Sequence, residues 1–285
     1  MKHFDGRVVA ITGAASGIGR ALALDLAGRG AHLALADVDS TGLAETVAMC
    51  EGRSVKVTSA AVDVADRAAV FAWAGHIVDT HGSVDMIVNN AGVNLAASAA
   101  EQSIDDFEWV MNIDFWGVVH GTQAFLPHLR DADEGHVVNI SSVFGLVSVP
   151  GQSAYNAAKF AVRGFTDALR IELEIEGSNV SVTTIHPGGV KTNIVNSGRR
   201  DQTLQAIGQD PATMQSEFDK LARSTPQKAA RQILKAVERN RRRALIGPDA
   251  KVFDIVSRLP AALYQRALVA QARRELKKSA NSTSR

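Results

Sequence analysis

The run Val8-Val9-Ala10-Ile11-Thr12-Gly13-Ala14-Ala15-Ser16-Gly17-Ile18-Gly19 decides how the rest of the chain is read. A short apolar stretch of strand character leads into a turn with glycines at 13, 17 and 19, and a helical pattern follows over 17–28. Glycine lets the chain turn sharply off the strand and brings bare backbone close to a bound pyrophosphate. The next helix then offers free N–H groups and its positive dipole end to the phosphates. The spacing departs from the common G-x-G-x-x-G fingerprint. Taken alone, such a turn is a weak signal and could also bind nothing.

Outward from this turn, short apolar runs alternate with longer helical patterns. Strand candidates lie at 7–12, 31–37, 55–63, 86–90, 136–141, 181–186 and, more weakly, 244–246. Helical patterns lie at 17–28, 41–50, 66–81, 104–129, 153–176 and 227–239. Several strands are continuously apolar, as parallel strands covered on both faces are. The alternation predicts a doubly wound parallel α/β sheet, with ligands at the carboxyl ends of its strands. No repeat or Pro/Gly-rich linker divides the chain, so a single domain is expected, its dinucleotide-binding and catalytic part spanning 1–248. Residues 193–225 interrupt the alternation and suit a lid over the site. Residues 249–285 read as a helical extension and tail of the same domain. Val252, Ile255, Val256, Leu259, Leu263 and Ala267 form an apolar stripe in it, Pro260 splits it into two helices, and 277–285 reads as frayed.

Bulk properties exclude several classes. The 285 residues are 46% apolar and 21% charged, ordinary for a globular protein, and a net charge of +1 supplies no field for nucleic acid or an anionic membrane. One cysteine, Cys50, makes no internal disulfide, and a cytoplasmic protein is expected. Strand character begins too early for a signal peptide, and no apolar run is long enough to span a bilayer. The eight histidines show no ligand spacing, so no catalytic metal is expected. The arginines at 239 and 241–243 read as a solvated helix end.

Asp37 closes the second strand about twenty residues beyond the glycine turn, where a carboxylate can accept hydrogen bonds from adenosine ribose hydroxyls. It would repel a 2′-phosphate, and Asp39 adds a second negative charge. NAD is therefore favoured, while Arg20 keeps NADP possible.

Tyr155 and Lys159 are four residues apart on a helical pattern, so both project from one face. A tyrosine is a poor base near neutrality, but a neighbouring ammonium favours the phenolate. Lys159 is thus expected to lower the pKa of Tyr155 and make it a proton shuttle. Ser142, at a strand end, can reach the same region and hold a substrate oxygen.

The ordered set of residues 12–19, Asn89-Asn90-Ala91-Gly92, Ser142, Tyr155-x-x-x-Lys159 and Pro187-Gly188 resembles the motifs of classical short-chain dehydrogenases/reductases, over about residues 5–195. The resemblance implies a Rossmann-like sheet of seven strands and a catalytic tetrad of Asn112, Ser142, Tyr155 and Lys159. It also implies cofactor contacts from Gly13, Ser16, Gly17, Ile18, Gly19, Asp37, Asp63, Val64, Asn90, Ala91, Gly92, Tyr155, Lys159, Pro187, Gly188, Val190 and Thr192. Asn112 would help hold a water in the proton relay, Lys159 would contact the nicotinamide ribose, and Val190 and Thr192 the carboxamide. Read by themselves, Asn89-Asn90 and Pro187-Gly188 could be turns, and Asn112 a cap or an interhelical hydrogen bond.

The expected activity is NAD-dependent hydride transfer between a secondary alcohol and a carbonyl. The alternatives are an NADP-dependent carbonyl reductase and a non-catalytic NAD-binding sensor. Leu95, Val143, Phe144, Val149 and Ile194 would line the cleft and suit an apolar substrate. The resemblance implies a homodimer or homotetramer.

Overall fold

A computed structural model describes residues 1–195 and 197–283, without the side chains of 217, 220, 221, 275 and 277–283. Its strands are β1 (Val8–Thr12), β2 (His32–Asp37), β3 (Val57–Ala61), β4 (Met86–Asn89), β5 (Leu95–Ala96), β6 (Gly135–Ile140), β7 (Val180–Pro187), β8 (Arg199–Arg200) and β9 (Arg243–Ile246). The helices are α1 (Gly17–Gly28), α2 (Ser40–Cys50), α3 (Arg67–His81), α4 (Ile104–Met111), α5 (Gly117–Asp131), α6 (Ser153–Ile175), α7 (Met214–Leu221), α8 (Pro226–Glu238), α9 (Pro248–Val256) and α10 (Ala261–Thr283).

Seven strands pair in parallel in the order β3-β2-β1-β4-β6-β7-β9. The alternation of side chains along a strand explains the layers. Val9 and Ile11 of β1 join the core formed with Leu22 and Leu26 of α1, Leu43 of α2, and Ile233 and Leu234 of α8. Val8 and Ala10 face the other way, into a core with Trp73 of α3, Phe125 and Leu129 of α5, and Leu169 and Leu173 of α6. Trp73 and Phe125 meet edge to face, their centroids 5.2 Å apart. Strand order reverses between β1 and β4, which opens a crevice at their carboxyl ends.

The long helix and the C-terminal tail differ from the expectations, and 193–225 holds short elements of its own. The long helix at 104–129 is broken: a π-helical turn, Asn112–Trp116, separates α4 from α5. Such a turn carries an extra residue and rotates the helix beyond it. The segment 193–225 contains β8, a 3₁₀ turn (Gln202–Ile207) and α7. It is pinned across the carboxyl edge by β5–β8 pairing, by a Val190–Ser224 bridge, and by the Thr203 hydroxyl accepting from the Ser98 amide at 3.1 Å. The tail expected to fray from 277 continues α10 to Thr283, and residues 284 and 285 lie outside the described residues.

Candidate active site

The glycine turn begins where β1 ends, at the crevice. Gly13 has φ +66, and a Cβ there would lie 2.8 Å from the Ala91 Cα and from the Asn90 Nδ2. Asn90 fastens this approach: its Nδ2 donates to the Thr12 and Gly13 carbonyls at 2.9 and 3.1 Å. The Thr12 hydroxyl accepts from the Asn90 and Ala91 amides in return. Gly17 opens α1 at φ +54, with the Thr192 methyl 3.2 Å from where its Cβ would be. Ser16 precedes α1 without capping it by its side chain, so the first-turn amides of Gly17, Ile18 and Gly19 are left to another acceptor. This is the donor set a pyrophosphate needs.

Asp37 stands beside that turn at the end of β2. Its two oxygens accept from the Ala15 and Asp39 amides, at 2.9 and 3.0 Å. Arg20 is committed elsewhere: its guanidinium pairs with Glu45 at 2.8 Å and donates to the Thr46 hydroxyl at 2.9 Å and the Gly42 carbonyl at 3.0 Å.

Across the crevice, α6 carries Tyr155 and Lys159 on one face, with the Lys159 Nζ 5.4 Å from the Tyr155 ring centroid. Ser142 follows β6, and its hydroxyl, which accepts from the Phe144 amide at 3.1 Å, lies near enough to Tyr155 to favour its phenolate. The Ser142 carbonyl accepts from His186 Nδ1 at 2.8 Å, which assigns the imidazole proton to Nδ1. Lys159 is buried, donates to the Ile140 carbonyl at 3.3 Å, and lies 3.0 Å from a carboxylate oxygen of Asp114. Asp114 is fully enclosed in the π-helical turn, where its other oxygen accepts from the Val93 amide at 2.7 Å.

Two expectations are corrected here. Asn112 is exposed, and Asp114 occupies the position beside Lys159 expected of it. The π-helical turn is the cause, because it directs residue 114 rather than 112 into the crevice. The second correction concerns Tyr155, whose pKa is raised rather than lowered. Burial is the main cause and Asp114 adds to it, against the pull of Lys159 and the Ser142 hydroxyl. Burial alone would lower Lys159, but Asp114 and Tyr155 outweigh it and keep the ammonium protonated.

The profile of the short chain dehydrogenase family matches residues 7–203. The chain is 47% identical over 271 residues to SadH of Mycobacterium tuberculosis, covering 95% of this chain and 96% of that one. The chain is a short-chain dehydrogenase/reductase. A short-chain dehydrogenase/reductase from Burkholderia phymatum, solved with NAD, superposes with a TM-score of 0.82 at 33% identity, over 91% of this chain and 94% of that one. A short chain dehydrogenase from Mycobacterium paratuberculosis, solved bound to NAD, gives 0.69 at 28% identity, over 81% and 90%.

In this short-chain dehydrogenase/reductase the remaining expected residues lie at strand ends and in the loops that follow them. Asp63 is exposed and accepts from the Ala65 amide at 2.9 Å, while Val64 is buried. Gly92 lies over the ion pair, its Cβ position 3.3 Å from the Lys159 Nζ and 3.4 Å from both Asp114 oxygens. Pro187 ends β7, and Gly188 leads into a loop held by Asp249, which accepts from the Gly189 amide at 2.6 Å. Val190 is buried, and Thr192 reaches Gly17. Leu95 and Val143 are buried, and Phe144 meets both Tyr155 and Phe253 edge to face at 6.2 and 6.3 Å. Phe253 was not foreseen; α9 brings it to the site from a stretch whose pattern marked only its amphipathic spacing. Among the described residues, no group of three or more His, Cys, Asp or Glu is placed to hold a metal ion.

Proposed function

We propose that this protein is an NAD-dependent oxidoreductase interconverting an apolar secondary alcohol and its carbonyl, with Tyr155 as acid/base. The observation that carries the reading is the Ser142–Tyr155–Lys159 cluster facing the uncapped start of α1 across one crevice. The nicotinamide, when bound, supplies the hydride acceptor or donor. Tyr155 takes the alcohol proton in oxidation and returns it in reduction. The Ser142 hydroxyl orients the reacting oxygen, and His186 fixes the backbone carrying Ser142. Lys159 holds the nicotinamide ribose hydroxyls.

NAD rather than NADP follows from charge. Asp37 sits where the adenosine ribose would lie, and Arg20 is spent on Glu45 and its neighbours rather than offered to a 2′-phosphate. The NAD in the two solved relatives agrees with this choice. The apolar side chains of Leu95, Val143, Phe144 and Phe253, with Val149 and Ile194, favour a hydrophobic substrate, and 193–225 serves as its lid. Trp116, Phe160 and Ile171, exposed on the π-helical turn and α6, are the proposed subunit contacts of a homo-oligomer.

The test is NADH formation from NAD with secondary alcohols graded in size and polarity, run beside Tyr155→Phe. Turnover should rise with apolar bulk and fall by about two to four orders of magnitude in the variant, the usual weight of a general acid/base. NADH binding to the variant should be unchanged. Substantial turnover by Tyr155→Phe would remove Tyr155 from the chemistry.

A further inference from the structure

Asp114 is the one buried carboxylate at the site that the proposed chemistry leaves unused. One of its oxygens is satisfied by the Val93 amide. The other finds no well-directed hydrogen bond, and its partner is the Lys159 ammonium 3.0 Å away. Both side chains are almost wholly removed from water; burial raises the Asp114 pKa, and the Lys159 ammonium and the Val93 amide pull it back toward the carboxylate. Gly92 covers the pair without adding a polar group.

We propose that Asp114 is a positioning residue that holds Lys159 and keeps the Tyr155 hydroxyl protonated, setting the site to donate a proton to a carbonyl at neutral pH. The inference deepens the proposed function and rests on it for its catalytic consequence. An ammonium beside a phenol favours the phenolate, but an ammonium already paired with a carboxylate presents little net charge to it. Among the described residues, the charges acting on Tyr155 are those of Lys159 and Asp114. His186 packs from β7 but is neutral, its pKa lowered to about 4 mainly by burial. Arg163, one turn beyond Lys159 on α6, is paired at 3.7 Å with Asp167. A neutral amide at 114 could still accept from Val93 yet would leave the Lys159 charge unopposed. The carboxylate therefore restrains ionisation of Tyr155, and alcohol oxidation, which needs the phenolate, is held to higher pH.

The chain has two tyrosines, and Tyr264 lies on α10 outside this cluster. In a Tyr264→Phe background, phenolate absorbance during alkaline titration of the unliganded protein reports Tyr155 alone, with Tyr155→Phe as the blank. Asp114→Asn and Asp114→Ser, each confirmed folded by circular dichroism, should both ionise Tyr155 at lower pH than the parent. The rising limb of alcohol oxidation should move the same way. A titration that stays put overturns the proposal. So does one that moves to higher pH, as it would if Lys159 sheds its proton once its partner is gone. Absence of turnover in every form, with the titration shifted, would defeat the proposed function and leave this inference standing.

Discussion

Asp37 joins two tasks in one carboxylate: it anchors the glycine turn through the Ala15 amide and, on the proposed function, faces the adenosine ribose with negative charge. Asp37→Asn keeps an acceptor for Ala15 and removes the charge. The preference for NADH over NADPH, read by fluorescence titration of each, should fall by about tenfold or more, since a hydrogen bond to a charged group is worth roughly 1.5–3 kcal/mol. An unchanged ratio would free Asp37 of any part in cofactor choice. At this scale much of the site could be read in advance. Tyr155, Lys159 and Ser142 come together because a four-residue helical spacing and a strand end survive folding unaltered. Asn112 is the residue type the motif asks for, but it and Asp114 lie about 200° apart on a regular helix, so only one of them can face the crevice. Only the π-helical turn decides between them, and no residue pattern in 104–129 announces it.

Helices are legible from periodicity and the long strands as apolar runs, whereas β5 and β8, two residues each, are too short to show either. Their pairing is nonetheless what ties 193–225 down. Arg199 adds an ion pair with Asp106 at 2.5 Å and lies over the Trp109 ring at 4.0 Å. Exposed pairs of this kind contribute at most about 1 kcal/mol, so the segment should open locally well before the sheet unfolds. Limited proteolysis is expected to cut first within 193–225, faster in Arg199→Ala, and more slowly when NADH is added. Equal cleavage with and without NADH would argue against a lid.

Taken whole, the fold buries two neutral imidazoles. Burial lowers the pKa of His136 to about 3, helped by the N-terminal ammonium and Arg170, and that of His186 to about 4. Above the unfolded value of about 6.5 neither histidine binds a proton in either state, so neither makes stability depend on pH. Below it the unfolded chain takes up protons that the native state refuses. Each histidine then costs about 1.4 kcal/mol of stability per pH unit until its native pKa is reached. Burial lowers the His81 pKa as well, so urea unfolding between pH 6.5 and 5 should show a slope from all three, and His136→Gln should remove one histidine's share of it. A slope indifferent to that substitution would mean that His136 is not buried neutral.

The reversal of strand order between β1 and β4 has a consequence for how the molecule comes into being. The strand that ends in the glycine turn pairs on one side with β2, close behind it, and on the other with β4, more than seventy residues further along. During synthesis β1, β2 and β3 can assemble while the inner edge of β1 still lacks its neighbour, open to mispairing with other chains. The bonds from Asn90 to Thr12 and Gly13 form only when β4 arrives. The crevice thus closes only once β4 has emerged, ahead of β6, β7 and β9, and a nascent chain lacks it until that seam is sewn.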